Sequence, residues 1–265
     1  MAQRGARAGE LESAEVRSMF DGIAWIYDAL NSAMTAGLHH RWRARAVDQA
    51  RVGPGARVLD IATGTGDLAL ELARRVAPGG AVIGSDFSEG MLARAREKAG
   101  ARDVVALDAE LRFEWGDGCE LPYADGEFDA ALNGFGLRNF PELARGLTEM
   151  VRVVRPGGRV VVLEMTTPTR RPLSWFFALW FDRAVPLLGR IVGSLARLGA
   201  RLRGAEGAEQ VTDAYSYLPN SVKRWPGPSQ LAVEMERAGL REISYILLAG
   251  GIIAIHAGTV PGKES

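Results

Sequence analysis

Acids and glycines gathered at predicted strand ends carry the first chemical signal in this 265-residue chain. The stretch 57–69, RVLDIATGTGDLA, reads as a short apolar strand, a sharp turn at Thr63, Gly64 and Gly66, and the start of a helix. Such a turn brings a ligand up to the backbone at a helix N-terminus. Gly64, Gly66 and Ala69 satisfy G-x-G-x-x-A, a dinucleotide pattern that alone marks only a tight strand–helix turn. Asp60 sets the direction. An acid beside the turn repels phosphate and attracts a cation.

That preference points to S-adenosylmethionine, which has an amino group and a sulfonium and no phosphate, over a nicotinamide dinucleotide. Asp60 and Asp67 both suit it, although Asp67 reads equally well as a first-turn acid favouring the helix dipole. Asp86 ends the next apolar run, AVIGSD, where an acid takes ribose hydroxyls. Asp117, with Gly118, follows the strand-like RFEW and is assigned to an adenine amino group, with Phe87 and Leu121 as candidate flanks for the ring. Asn133 closes a further apolar run. In parallel α/β sheets the strand ends converge, so these scattered residues can share one site.

The elements that must position them alternate strand and helix. Strands are expected at 57–62, 81–86, 112–115, 128–132 and 159–165, and helices at 66–76, 89–99 and 142–153. RPGG at 155–158 reads as a turn, and 100–111 is ambiguous. Residues 1–10 read as a disordered tail, and 11–265 as one domain. Before the sheet, 11–52 forms a helical cover broken near Gly37. After it, 170–240 is a helical insertion, with a helix near 211–219, and strands at 241–248 and 252–256 form an antiparallel pair.

Bulk properties narrow the partners. Lys plus Arg and Asp plus Glu are 32 each, so no global field favours nucleic acid. The single cysteine, Cys119, excludes an internal disulfide and suits a reducing, cytoplasmic compartment. No signal-peptide core and no spanning run of apolar residues is present. The three histidines show no metal-ligand spacing, so no metal is expected.

FGLRNF at 135–140, together with DIATGTGDLA, Asp86 and GDG, resembles the menaquinone/ubiquinone biosynthesis C-methyltransferase family. The similarity extends to YDALNSAMTAGLHHRWR at 27–43, DAYSYLPNSVKRWP at 213–226 and AGGIIAIHAG at 249–258. Ala62 departs from a usual glycine and His40 from a usual arginine. The resemblance implies a class I methyltransferase (Rossmann-like) α/β fold with a mostly parallel seven-stranded sheet and an antiparallel last strand. It implies S-adenosylmethionine as donor, leaving S-adenosylhomocysteine, and a prenylated hydroquinone as acceptor: demethylmenaquinol, or alternatively a ubiquinone precursor.

On that footing Arg138 and Asn139 are the first candidates to hold the quinol oxygen, and His39 is a candidate base. The alternative for Arg138 is that it pairs with a neighbouring acid to fix the loop. Tyr27, Asp28, Asn31, Phe135 and Tyr215 are candidates for the acceptor's surroundings. The basic, aromatic stretch 173–203 is open to three readings: contact with the inner face of an anionic membrane, a lining for the prenyl tail, or a homodimer interface.

Overall fold

The computed structural model describes residues 13–101, 108–168, 171–179, 181, 183, 187 and 217–262. Seven strands form one sheet in the order β3-β2-β1-β4-β5-β7-β6. They are β1 (Arg57–Ile61), β2 (Ala81–Asp86), β3 (Glu110–Trp115), β4 (Phe128–Gly134), β5 (Val154–Met165), β6 (Arg241–Leu248) and β7 (Ile253–Thr259). The first five run parallel, and β7 is antiparallel to both of its neighbours. This is the expected class I methyltransferase architecture. The order reverses beside β1, and that reversal opens a crevice at the carboxyl ends of β1 and β4.

Alternation along the central strands sorts side chains into two cores. Val58, Ala130, Leu132, Val161 and Leu163 join one, beneath α3 (Leu38–Ala50) and α4 (Asp67–Val76). Leu59, Ile61, Ala131, Val160 and Val162 join the other, beneath α6 (Leu143–Val153) and α8 (Pro228–Arg237). Burying each large aliphatic side chain contributes roughly 1.5–3 kcal/mol. Asp60 shares its parity with Val58 and so faces the α3–α4 layer.

The N-terminal cover is α1 (Ser13–Ile23), α2 (Tyr27–Thr35) and α3, which breaks from α2 at Gly37 in the left-handed region (φ 75°). Helix α3 buries His39, Arg43, Ala46, Val47 and Ala50, a helical stripe whose apolar end packs on the sheet layer and whose polar end reaches the crevice. The α5 helix is Glu89–Ala101, and α7 is Leu173–Leu179.

Two expectations change. RPGG lies inside β5: Val154 pairs with Phe128 and Arg159 with Ala130, so the four residues between them bulge out of register rather than preceding the strand. Strand β4 continues through Asn133 and Gly134 because both keep pairing with β5. The expected helix at 211–219 is described only from 217, where residues 217–224 are helical. Of the ambiguous 100–111, the ends belong to α5 and β3, while 102–107 and most of 173–203 lie outside the described residues.

Candidate active site

The turn after β1 is built from left-handed backbone. Ala62, Gly64 and Gly66 have φ of 53°, 57° and 81°. The Thr63 N–H donates to the Ser85 carbonyl at 3.0 Å, tying the turn to β2. Asp86 then organises it from the side: Oδ2 accepts the Gly64 N–H at 2.8 Å and Oδ1 accepts the Ser88 N–H at 2.9 Å. Each oxygen keeps a second lone pair. Burial pushes the Asp86 carboxyl up to about 6 despite these bonds.

Asp60 is fully buried. Its Oδ2 accepts the Thr63 hydroxyl at 2.6 Å, while Oδ1 has no hydrogen-bond partner. Burial pushes this carboxyl up to about 7, against the pull of Thr63 and the charge of Arg43. One cavity joins Asp60, Thr63 and Gly64 to Asp86 and Phe87, and then to Asp117 and Gly118. An orphaned carboxylate oxygen, a strand-end acid with spare lone pairs and a distal Asp117 form an acidic row without a phosphate cradle. That donor set fits the ammonium, ribose and adenine of S-adenosylmethionine.

Other expected cofactor residues are not on this wall. Gly66 is held by packing: a Cβ there would meet the Phe113 ring at 2.9 Å. Asn133 is consumed by the backbone. Its Nδ2 donates to the Ile61 carbonyl at 2.8 Å, and its Oδ1 accepts the N–H groups of Gly136 at 3.2 Å and Leu137 at 2.8 Å. These bonds position the 135–139 loop. Asp67 is the helix-start acid, paired with Lys98 at 2.8 Å and 3.7 Å from Arg43. Leu121 sits in the core across the sheet, and Phe140 takes its place in the cavity wall.

A second cavity, about 270 Å³, adjoins the first. Met34, Leu38, Trp42, Phe177, Phe181 and Ile252 make it apolar, while Asn31, His39 and Arg138 place polar atoms on its wall. Tyr27, Arg43 and Phe135 line both cavities, so the two meet there. Phe135 holds φ 66°, unusual for a bulky residue, at the point where the chain leaves β4. Asp28 is turned away from both cavities: it accepts the Thr65 hydroxyl and pairs with Lys98, each at 2.5 Å.

Arg138 is a paired arginine. Its Nη1 donates to Glu164 Oε1 and to the Phe135 carbonyl, both at 2.6 Å, and its Nε is buried without a partner. Glu164 is fully buried, and burial raises its carboxyl against the opposing charge of Arg138. The pair fixes the loop and still leaves guanidinium donors beside the apolar cavity. Asn139 lines the first cavity, with its Oδ1 accepting the Tyr217 hydroxyl at 3.1 Å; its amide N–H groups remain as donors.

His39 Nδ1 lies 2.7 Å from the Thr35 hydroxyl. That hydroxyl spends its single hydrogen on the Asn31 carbonyl at 2.7 Å, so Nδ1 must donate and Nε2 carries the lone pair. Burial, with Arg43 and His40, lowers the His39 pKa to about 4, making it a neutral acceptor and a weak base.

Sequence reasoning missed Arg43, Glu164 and Tyr217. Tyr215 lies outside the described residues; Tyr217, two positions on, reaches Asn139. The structure also gathers His39, His40 and Asp67 with ligand atoms within 4.8 Å, which their spacing does not suggest. Arg43 and Lys98 beside Asp67 make this a cationic neighbourhood, unfavourable to a metal ion.

Comparison with known proteins gives the family and the fold. The ubiE/COQ5 methyltransferase family matches residues 8–260. A demethylmenaquinone methyltransferase of Desulfitobacterium hafniense is 40% identical over 254 residues, 96% of this chain and 93% of that protein. One from Thermus thermophilus is 43% identical over 243 residues, 92% of this chain and 100% of that protein. Among solved structures, the [4+2]-cyclase SpnF shares the fold at TM-score 0.59 and 20% identity, covering 94% of this chain and 96% of that one. The chain belongs to the ubiE/COQ5 methyltransferase family.

Proposed function

We propose that the protein methylates a ring carbon of a prenylated hydroquinone, converting demethylmenaquinol to menaquinol. The observation that carries this reading is the meeting of an acidic cavity and an apolar cavity at Tyr27, Arg43 and Phe135, with Arg138 on the apolar side. The relatives named above support the acceptor.

S-adenosylmethionine, when bound, supplies a methyl group on a sulfonium. The protein's work lies on the acceptor. A quinol hydroxyl with a pKa near ~10 is a poor carbon nucleophile until its proton leaves. Donors from Arg138 and Asn139 stabilise the phenolate and orient its oxygen. The phenolate would make the ortho ring carbon the nucleophile toward that methyl group, and the methylated carbon would then have to lose its own proton to restore aromaticity. His39 Nε2 is the neutral acceptor on the wall, and a pKa of about 4 suits it to relay a proton to water rather than to hold it. Apolar walls exclude water and hold the ring against the donor, an orientation effect worth up to ~7–11 kcal/mol. Incubation with demethylmenaquinol and methyl-labelled donor tests the reading. Label in the quinol ring supports it, and label absent from the quinol while S-adenosylhomocysteine still binds refutes the acceptor.

The prenyl tail has a route outward. Helix α7 turns Phe177 into the apolar cavity and exposes Trp175 and Leu179; Leu38 both lines that cavity and is exposed. This supports peripheral contact with a membrane surface, from which a tailed quinol enters. No described helix is long and apolar enough to cross a membrane. Loss of liposome co-sedimentation in a folded Trp175→Ser, Leu179→Ser variant is the expected result. Unchanged sedimentation removes this face from the account.

A further inference from the structure

Another cavity, of about 500 Å³, lies at the opposite ends of the strands and shares no lining residue with the two described above. The turn between α3 and β1 forms one wall, and the bulge of β5 forms another. Arg51, Arg155 and Arg159 line it, against the acids Asp129 and Glu242. Arg159 is only 7% exposed. Its Nε donates to the Gln49 carbonyl at 3.3 Å, near the end of α3, and its Nη1 to the Thr259 hydroxyl at 3.0 Å. Both partners are neutral, and Nη2 has none among the described residues. Arg51 is exposed and makes no ion pair among the described residues. Burial, with the charge of Arg51, lowers the Arg159 pKa against the opposing pull of Glu242.

The two acids do not supply the missing counter-ion. Asp129 is committed: Oδ1 accepts Arg155 Nε at 2.5 Å, and Oδ2 accepts the Arg57 N–H at 2.7 Å. Glu242 is linked to Arg159 only through the Thr259 hydroxyl, which donates to its Oε2 at 3.1 Å. A buried cation without a counter-ion is costly, and two guanidiniums facing one space repel each other. An anion between them removes both costs. We propose that this cavity is a second binding site, which takes a phosphate-class anion between Arg51 and Arg159 with Arg155 at its rim. Guanidiniums present paired N–H donors that match phosphate oxygens. Three of them around one space suit a multiply charged oxyanion better than a single carboxylate. The site is independent of the methyl-transfer reading, since neither the acidic nor the apolar cavity contributes to it.

Titration calorimetry of the full-length protein with sodium diphosphate, at fixed ionic strength, tests the site. Saturable binding is expected. Arg51→Gln and Arg159→Gln should each weaken it by about 10-fold or more, the scale of losing hydrogen bonds to a charged group. Glu242→Gln, which removes a negative charge from the wall, should tighten it. Arg159 also holds the end of α3, so its variant can lose fold as well as ligand. Arg51 is exposed and makes no such bond, and its variant keeps the test decisive. Absence of saturable heat overturns the proposal, as does unchanged affinity in Arg51→Gln. Competition by S-adenosylhomocysteine also overturns it, by moving the anion to the donor cavity. Sedimentation with phosphatidylglycerol vesicles that depends on Arg51, without diphosphate binding, overturns the free anion in favour of a lipid headgroup.

Discussion

The two halves of the site are made differently. On the donor side, backbone does most of the positioning: strand ends and a left-handed turn hold Asp60, Thr63, Gly64 and Asp86 within a few residues of β1 and β2. On the acceptor side, side chains from distant segments do it: His39 from α3, Arg138 after β4, Glu164 in β5 and Tyr217 in a later helix. The first half is local, and burial raises the carboxyls of Asp60 and Asp86. The second is a set of tertiary pairings, in which removing one member frees another.

The largest expected effect on donor binding lies on the donor side. Asp60→Asn removes the buried charge proposed to meet the donor's ammonium. It is expected to weaken S-adenosylhomocysteine by about 30-fold or more, with the melting temperature unchanged or raised, because a buried charge is lost. A companion prediction concerns pH. The free carboxyl titrates at about 7, and a bound cation lowers that value, so binding is fully strengthened above pH 7 and weakens as pH falls through it. Calorimetry should find affinity falling by up to about tenfold per pH unit below 7, with a proton released on binding. A flat profile from pH 5 to 8 would break the donor half of the comparison.

That asymmetry also explains what was legible in the sequence. Glycine turns and strand-end acids are local signals, so most strands, the mostly parallel sheet and the convergence of Asp60, Asp86 and Asp117 on one cavity could be read from spacing. Asn133 carried the same strand-end signal, yet its amide is spent on the loop backbone, which only the fold reveals. Glu164 sits in an apolar strand just as Asp60 does, and that signal could have found it. Arg43 reads as one more helical arginine until the fold buries it between Asp67 and Phe135 with its Nη1 making no hydrogen bond. Tyr217 rather than Tyr215 reaches Asn139 because of where a later helix places it, a fact that no local pattern encodes.

The next effect sharpens the acceptor half. Glu164→Gln keeps an acceptor for Arg138 but removes the opposing charge 2.6 Å away. The site becomes more positive and favours phenolate. The rising limb of the pH–rate profile should therefore move to lower pH by roughly one unit. No movement would mean that Arg138 does not feel the reacting oxygen.

The last effect concerns the fold and not the site. His256 is buried on β7, its Nε2–H donates to the Pro228 carbonyl at 2.8 Å, and burial lowers its pKa to about 4. The unfolded protein binds this proton near ~6.5 and the folded protein does not. Stability contributed by neutral His256 is thus present above pH 6.5 and is lost as pH falls towards 4, by up to about 1.4 kcal/mol per pH unit. Denaturant midpoints of the wild type and His256→Gln should converge as pH falls across that window. Parallel curves would remove the histidine from the pH response.

The central claim is that donor binding and acceptor activation reside in separate halves that meet at Tyr27 and Phe135. Single-turnover methyl transfer to demethylmenaquinol by Arg138→Ala, beside its calorimetric affinity for S-adenosylhomocysteine, tests it most directly. Arg138→Lys controls for loss of the Glu164 pair. The account predicts donor affinity within about threefold of wild type and transfer slowed about 100-fold or more, the scale of losing an oxyanion donor. Wild-type transfer by the folded Arg138→Ala protein would contradict it.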